Sequence, residues 1–447
     1  MGGFAALYFA LSSTLVFTIM LLFTFFLLAI GREDIPTFVG TGLAILAPVT
    51  GRLDITGPIV VIGPQLAVIA GVLVSMLLGK EWLLTSSRKR NNHIGVLVIS
   101  LLALPFLSTF TSNYTDYVHL LPLYCSNILF SFSLFMLLKQ SSNNIRWASW
   151  GILIAATVAT IIALQDWDGL QRLSLDGNVR AVANVYGAAL MLLLIPQLLP
   201  DANGIRAFPL STAQLPRLAL ILALGVLLAA TASRGVLLAI IIMTTAAIAA
   251  NIRANMSRSS IVNTAILLLL IGTVLLLYEL PSSLRDRVAM DVSTDGRFAI
   301  WGTALAQLRP IEVMFGAGLN RFPSLSPSGM YAHSVFLDHF ASFGLTGITI
   351  LVGMFASLGI MVARYSSVAA GCIGLYICAA YATHGHINTI SYWVLLALAF
   401  SVAWGARRKT ASSKVNQNVG GLEESQGTTT GHEECYPALT QSNSGTK

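Results

Sequence analysis

Apolar runs of about twenty residues follow one another along most of the chain, parted by short polar turns. That length suits a helix crossing a bilayer, which needs ~20 residues, and is about twice what a barrel strand needs. The pattern predicts membrane helices near 7–30, 58–79, 94–112, 115–138, 147–164, 179–199, 215–232, 235–252, 260–279, 334–362, 367–385 and 390–406. The expected fold class is therefore all-α, a polytopic membrane protein of about 12 transmembrane helices. The first run has no basic residue before it and no A-x-A-like site after it, so it reads as an anchor rather than a cleaved signal. The stretch 37–51 is short for a span and reads as re-entrant or interfacial.

Two segments depart from the pattern. Residues 280–333 are largely hydrophilic and form one large loop late in the chain. Beyond Lys409 the chain is rich in Ser, Thr, Gly, Asn and Glu and poor in large apolar residues. Such material cannot bury enough surface to offset the entropy of ordering. The expected division is a transmembrane domain over 1–409 and a disordered cytoplasmic tail over 410–447.

Composition agrees and adds an orientation. Hydrophobic residues make up 55% of the chain and charged residues 10%, with mean hydropathy +0.76. A soluble domain carries roughly 25% charged residues, so the chain belongs among membrane lipids. Basic turns alternate in side: Lys80, Arg88, Lys89 and Arg90, then Lys139 and Arg146, Arg206, Arg253 and Arg258, Arg364, and Arg407 to Lys409 share one. The positive-inside rule makes that side cytoplasmic, with both termini there and the 280–333 loop outside. The net charge of +7 follows from this topology, and no nucleic-acid partner is implied. The outer side carries arginines without lysines: Arg172, Arg285, Arg287, Arg297, Arg309 and Arg321. Arginine offers a planar fork for carboxylate or phosphate, whereas lysine serves equally well for orientation. Cys125, Cys372, Cys378 and Cys435 form neither a ligand set nor a disulfide framework.

Against so much hydrocarbon the charged residues stand out. Arg234 is the one charge between two apolar runs, and a charge inside a membrane-length segment is a functional candidate by default. Its plainer reading is an arginine snorkelling at a helix end. Arg297 stands in the polar loop, functional or simply solvated. His333 stands at the mouth of the next apolar run, as a titrating group or as a neighbour of a helix cap. Asp166 and Asp168 make a D-x-D of the kind metal-using membrane glycosyltransferases carry, but the spacing is short and common. His384 and His386 lack carboxylate or thiol support and read as structural. Phe336, Phe340 and Phe343 read as helix packing, and no metal site is expected.

The order SRG (Ser233 to Gly235), DGR-x3-W (Asp295 to Trp301), FGAGLNRF (Phe315 to Phe322) and HS-x-FL-x6-G-x2-G (His333 to Gly347) resembles the bacterial O-antigen ligase and polymerase superfamily. GNVRAVANVYGAAL (Gly177 to Leu190) is similar to the Arg/Asn-containing helix start found earlier in that family. The resemblance covers roughly 165–400, and Ser334 departs from the Asn that many members have after the histidine. It implies a large-membrane-glycosyltransferase (GT-C-like) fold in the bacterial inner membrane, with one large periplasmic loop. The implied activity is transfer of a glycan from an undecaprenyl-pyrophosphate carrier to an acceptor hydroxyl at the periplasmic face. A ligase uses a lipid A-core acceptor and a polymerase a second carrier-linked glycan; a flippase for such lipids is the competing class. Under this resemblance His333, Arg297 and Arg234 are the catalytic candidates, and Arg180, Arg321 and Ser334 the substrate-binding ones. Guanidinium groups stabilise the charge growing on a pyrophosphate leaving group, and an imidazole takes the acceptor's proton. No metal or cofactor is then called for.

Overall fold

Most of the apolar runs fold as single helices whose ends fall near the polar turns. A computed structural model describes residues 27–28, 32–50, 65–73, 92–111, 120–165, 173, 179–195, 214–231, 233–253, 294–327, 329, 331–383 and 389–427. Among the described residues the chain is all-helical. The helices are α1 (Asp34–Thr50), α2 (Asn92–Thr111), α3 (Leu121–Leu138), α4 (Ser142–Gln165), α5 (Val179–Leu194), α6 (Gln214–Ala230) and α7 (Arg234–Arg253). They continue as α8 (Thr294–Ala306), α9 (Pro310–Phe315), α10 (Phe322–Leu325), α11 (Val335–Tyr365), α12 (Val368–Thr383) and α13 (Ile390–Gly427). A further helical stretch covers 65–73. Helices α3, α4, α11 and the first part of α13 are long and apolar enough to cross a membrane. The expected spans at 7–30, 58–79 and 260–279 lie wholly or mostly outside the described residues.

Three local outcomes refine the expectations. Residues 37–50 of the 37–51 stretch belong to a regular helix, α1, laid along α4 with Gly42 facing the backbone of Gly151. Small residues at such a crossing let two backbones approach, a common way to pack helices within lipid. Part of the 280–333 segment folds: α8, α9 and α10 share a small core of Ala304, Leu308, Phe322, Leu325, Ala332 and Ala341. The last helix carries on past Lys409 to Gly427, into the tail expected to begin at 410. Extending an existing helix avoids the nucleation cost that a free segment faces.

Helix direction separates two ends. At one end the Arg408 guanidinium donates to the Gln140 carbonyl at 3.0 Å, and that of Arg407 lies 5.8 Å from the Tyr365 ring centre. Lys139 and Arg364 share this end. The opposite end carries the short helices α8 to α10 and the start of α11.

Helix α11 is interrupted at Gly344, whose φ of 62° and ψ of −157° are not helical. The break frees the carbonyls of Ala341 and Ser342, and the Gly316–Asn320 loop takes them. Ala317 N–H donates to Ala341 O at 2.9 Å, and Gly318 N–H to Ser342 O at 3.2 Å. Asn320 N–H donates to the Ser342 hydroxyl at 3.2 Å. Gly316 has φ 89°, and a Cβ there would overlap the Ser342 carbonyl. A Cβ on Gly344 would lie 2.6 Å from the Val313 carbonyl. Left-handed backbone costs an alanine about 1–2 kcal/mol and overpacking adds about 1–3 kcal/mol. Gly316→Ala and Gly344→Ala should each destabilise the purified protein by at least about 2 kcal/mol in a detergent melt. Gly353→Ala, where an added Cβ meets open space, should melt like the parent.

Candidate functional site

The end of the bundle away from Arg407 and Arg408 collects helix starts. Helix α5 begins at Val179 with Arg180 second, and α7 begins at Arg234. Both pack against α12, and a Cβ added to Gly187 of α5 would overlap Tyr376 Oη and Val236 of α7. This contact fixes the relative heights of the two arginine positions. From 187 back to 180 is about 10 Å of helix, and from 236 back to 234 about 3 Å. Position 234 therefore lies about 7 Å deeper than position 180. Leu173 reaches the same turn, donating its N–H to Ala230 O at 3.0 Å. The side chains of Arg180, Arg234 and Arg297 lie outside the described residues, as do Asp166, Asp168, His384 and His386.

His333 closes the polar segment. It is half-buried, with φ 54°, a left-handed conformation that histidine adopts more readily than most residues. Ser334 follows as the N-cap of α11, its hydroxyl accepting from Leu337 N–H at 3.4 Å. Ser334 is buried in that cap, which gives it a structural duty beside the substrate-binding one expected from sequence.

The indole of Trp301 makes the connection that matters most here. Its Nε1–H donates to the carbonyl of Ala332 at 2.9 Å, fastening α8 to the residue just before His333. Phe298 stacks edge-on against the same indole, with ring centres 5.2 Å apart. Residues four apart share a helix face, so position 297 stands one turn before Trp301 on the side of α8 that meets the histidine strand. The R-x3-W spacing is the sequence form of this juxtaposition. In the sequence the DGR-x3-W motif contains this tryptophan, and the spacing is the signal that points to it.

Arg321 sits at the N-cap of α10, half-buried, near Glu312. The Glu312 carboxylate accepts from the Arg309 backbone N–H at 2.9 Å and from its guanidinium at 2.7 Å. Burial alone would raise the Glu312 carboxyl. The Arg309 hydrogen bonds and the charges of Arg309 and Arg321 outweigh it and hold the group below the usual carboxylate range. Among the described residues no three His, Cys, Asp or Glu side chains gather as a metal site.

The arrangement thus ties Trp301, one helical turn after position 297, to the residue before His333, and sets the Arg180 and Arg234 positions at neighbouring helix starts. Residues 218–352, from α6 through the middle of α11, match the family model of the O-antigen ligases. Over these residues the chain is similar to the O-antigen ligases. The matched stretch spans less than half the chain and holds Arg234, Arg297, Arg321, His333 and Ser334. No curated protein matches the chain.

Trp301→Phe keeps the ring and removes the N–H. The Ala332 carbonyl then loses its donor while the small core stays filled. Amide exchange across 331–335 should quicken several-fold with helices α3 and α13 unchanged, as read by hydrogen–deuterium exchange mass spectrometry.

Proposed function

We propose that this O-antigen ligase-family chain transfers a glycan from an undecaprenyl-pyrophosphate carrier to an acceptor hydroxyl at the periplasmic face of the bacterial inner membrane. The observation that supports the reading is the Trp301–Ala332 hydrogen bond, which fastens helix α8, with position 297 one turn before Trp301, to the residue preceding His333 inside the matched stretch. The proposed architecture is a GT-C-like bundle of about 12 membrane helices, with 280–333 outside and both termini cytoplasmic. Its support is the alternation of helix direction and the basic cluster of Lys139, Arg364, Arg407 and Arg408 at the end away from His333.

In the proposed reaction the acceptor oxygen attacks the anomeric carbon as the carbon–oxygen bond to pyrophosphate breaks. The bonding pair leaves with the carrier pyrophosphate, and Arg297 and Arg234 stabilise the added charge. His333 receives the proton that the acceptor hydroxyl gives up. Arg180 and Arg321 hold the anionic donor, and the Ser334 cap fixes the backbone that presents the imidazole. The cationic side chains supply the positive charge, so the proposal needs neither metal nor cofactor. The acceptor is a lipid A-core sugar in the ligase reading and a second carrier-linked glycan in the polymerase reading. A deletion strain separates the two: long carrier-linked chains beside free core mean ligase, single repeat units mean polymerase.

Arg297→Lys and Arg234→Lys keep the charge and lose the fork, and each should cut transfer at least tenfold in a reconstituted assay. His333→Ala should cost a factor of roughly 10²–10⁴ in rate while donor binding stays near that of the parent. A well-expressed His333→Ala protein with near-normal transfer rejects the assignment. Activity should survive chelator; loss restored by magnesium or manganese would move attention to Asp166 and Asp168.

Orientation has its own check. A cysteine at Thr303, exposed on α8, in a cysteine-free background should react with an impermeant maleimide in cells whose outer membrane alone is permeabilised. Labelling only after inner-membrane lysis would reverse the topology.

A further inference from the structure

Helix α9 presents two large apolar side chains that nothing in the described protein covers. Ile311 is 46% exposed and Met314 47%, and their spacing puts them on one side of the helix. Beyond them Leu345 is 44% exposed and Val352 60%, two turns apart on one face of α11. The Thr346 hydroxyl donates to the Met314 carbonyl at 2.9 Å, so the α9 face runs directly into the outward face of α11. The charged groups of α9 are paired with each other, Arg309 with Glu312 at 2.7 Å, at its N-terminal end.

Depth decides what covers this face. From Gly344 to the Arg364–Tyr365 end, residues 345–365 rise about 31 Å, the thickness of a bilayer's hydrocarbon core. Helix α3, Leu121–Leu138, rises about 27 Å before Lys139. The outer ends of these helices are level: Tyr124 of α3 packs on Phe343 at 5.4 Å and on Trp393 of α13 at 6.3 Å. Helix α9 is bonded to α11 at this level through the Met314 carbonyl, and the loop that follows it through Ala317 and Gly318. It therefore lies where hydrocarbon gives way to headgroups.

We propose that α9 is a membrane-interface helix whose Ile311 and Met314 side chains enter the outer-leaflet lipid and hold the α8–α10 cap down on the membrane surface. The exposed apolar side chains of α9 and α11 and their depth favour lipid over a protein partner. Resting on the proposed function, a consequence follows for the substrate. A lipid-borne anionic donor reaches His333 by diffusing within the leaflet past α9, rather than from the aqueous side.

The test needs no catalysis. Nitroxide labels at Ile311→Cys and Met314→Cys, with Thr303→Cys as the water-exposed comparison, are placed on cysteine-free protein in phosphatidylethanolamine–phosphatidylglycerol nanodiscs. The 311 and 314 labels should collide with oxygen several-fold more often than with a soluble nickel chelate, and Thr303 should show the reverse. Nickel accessibility at 311 and 314 equal to that at 303 overturns the proposal, and exclusion from both probes marks a protein partner and overturns it too. For the entry route, Ile311→Asp with Met314→Asp should raise the KM for full-length polyprenyl donor about tenfold or more. The same variant should leave kcat/KM for a short-chain, micelle-soluble donor unchanged; equal loss on both donors overturns the route. A parent protein without transfer activity sinks the functional reading while the label result stands.

Discussion

The break in α11 at Gly344 is the constraint on which the end of the molecule that holds α8 to α10 depends. Interrupting a helix at the edge of hydrocarbon exposes carbonyls that water cannot reach, and each buried unsatisfied group costs about 1–3 kcal/mol. Here the Gly316–Asn320 backbone supplies the missing donors to Ala341 and Ser342. The exchange works in both directions, because the same bonds give the loop its only route to a defined shape between two short helices. Neither strand tolerates a Cβ at the crossing, which is why a glycine stands at 316 and another at 344. Everything attached to that loop, from α9 to α10, inherits its position from the crossing.

Before the break, residues 335–343 pack on an aromatic layer. His339 is fully buried, 5.7 Å from the Phe343 ring centre and 6.2 Å from that of Trp393. Its Nδ1 lies 3.2 Å from the Val335 carbonyl, which can only accept, so Nδ1 carries the proton. Tyr392 stacks edge-on against Trp393 at 5.1 Å, and Tyr381 against Tyr392 at 5.4 Å with its hydroxyl bonded to Ser391. Edge-to-face aromatic pairs are specific in geometry and together bury large area. The segment that presents His333 thus rests on a packed layer rather than on a mobile loop, and a pre-set site needs that support.

Hydropathy made the helices legible because bilayer thickness writes a length into the sequence. The run expected at 235–252 is α7, Arg234–Arg253, and that at 367–385 is α12, Val368–Thr383. The interruption of α11 was not legible: Gly344 stands in an apolar run, and a glycine there reads the same whether the helix passes through it or stops. The cap was missed for a related reason. Ile300, Ala304 and Leu308 carry helical spacing, but over too few residues to stand out within a polar segment. The end of α13 escaped because hydropathy stops at the membrane edge while a helix need not. Of the candidate site, Arg297 and His333 stand in the motif order, yet the link between their segments depends on a hydrogen bond between Trp301 and the Ala332 carbonyl, which no pattern of residue types encodes.

The two sets of basic residues are also distinct in electrostatic setting. Arg364 sits in the last turn of α11 and Lys139 caps the end of α3, where the helix dipole favours a cation. Arg180 and Arg234 stand in the first turns of α5 and α7, where the dipole opposes one, and neither first turn holds a carboxylate to compensate. Each such placement costs about 0.3–1 kcal/mol at a surface site. Two parallel helices, locked together at Gly187 and Val236, repeat the unfavourable choice at the same end. Orientation in the membrane does not require it, since the opposite end already carries the topogenic charges. What the arrangement gains is two helix starts at one end, where free backbone N–H groups and the dipoles favour an anion. Under the proposed function that anion is a lipid pyrophosphate, delivered by the membrane itself.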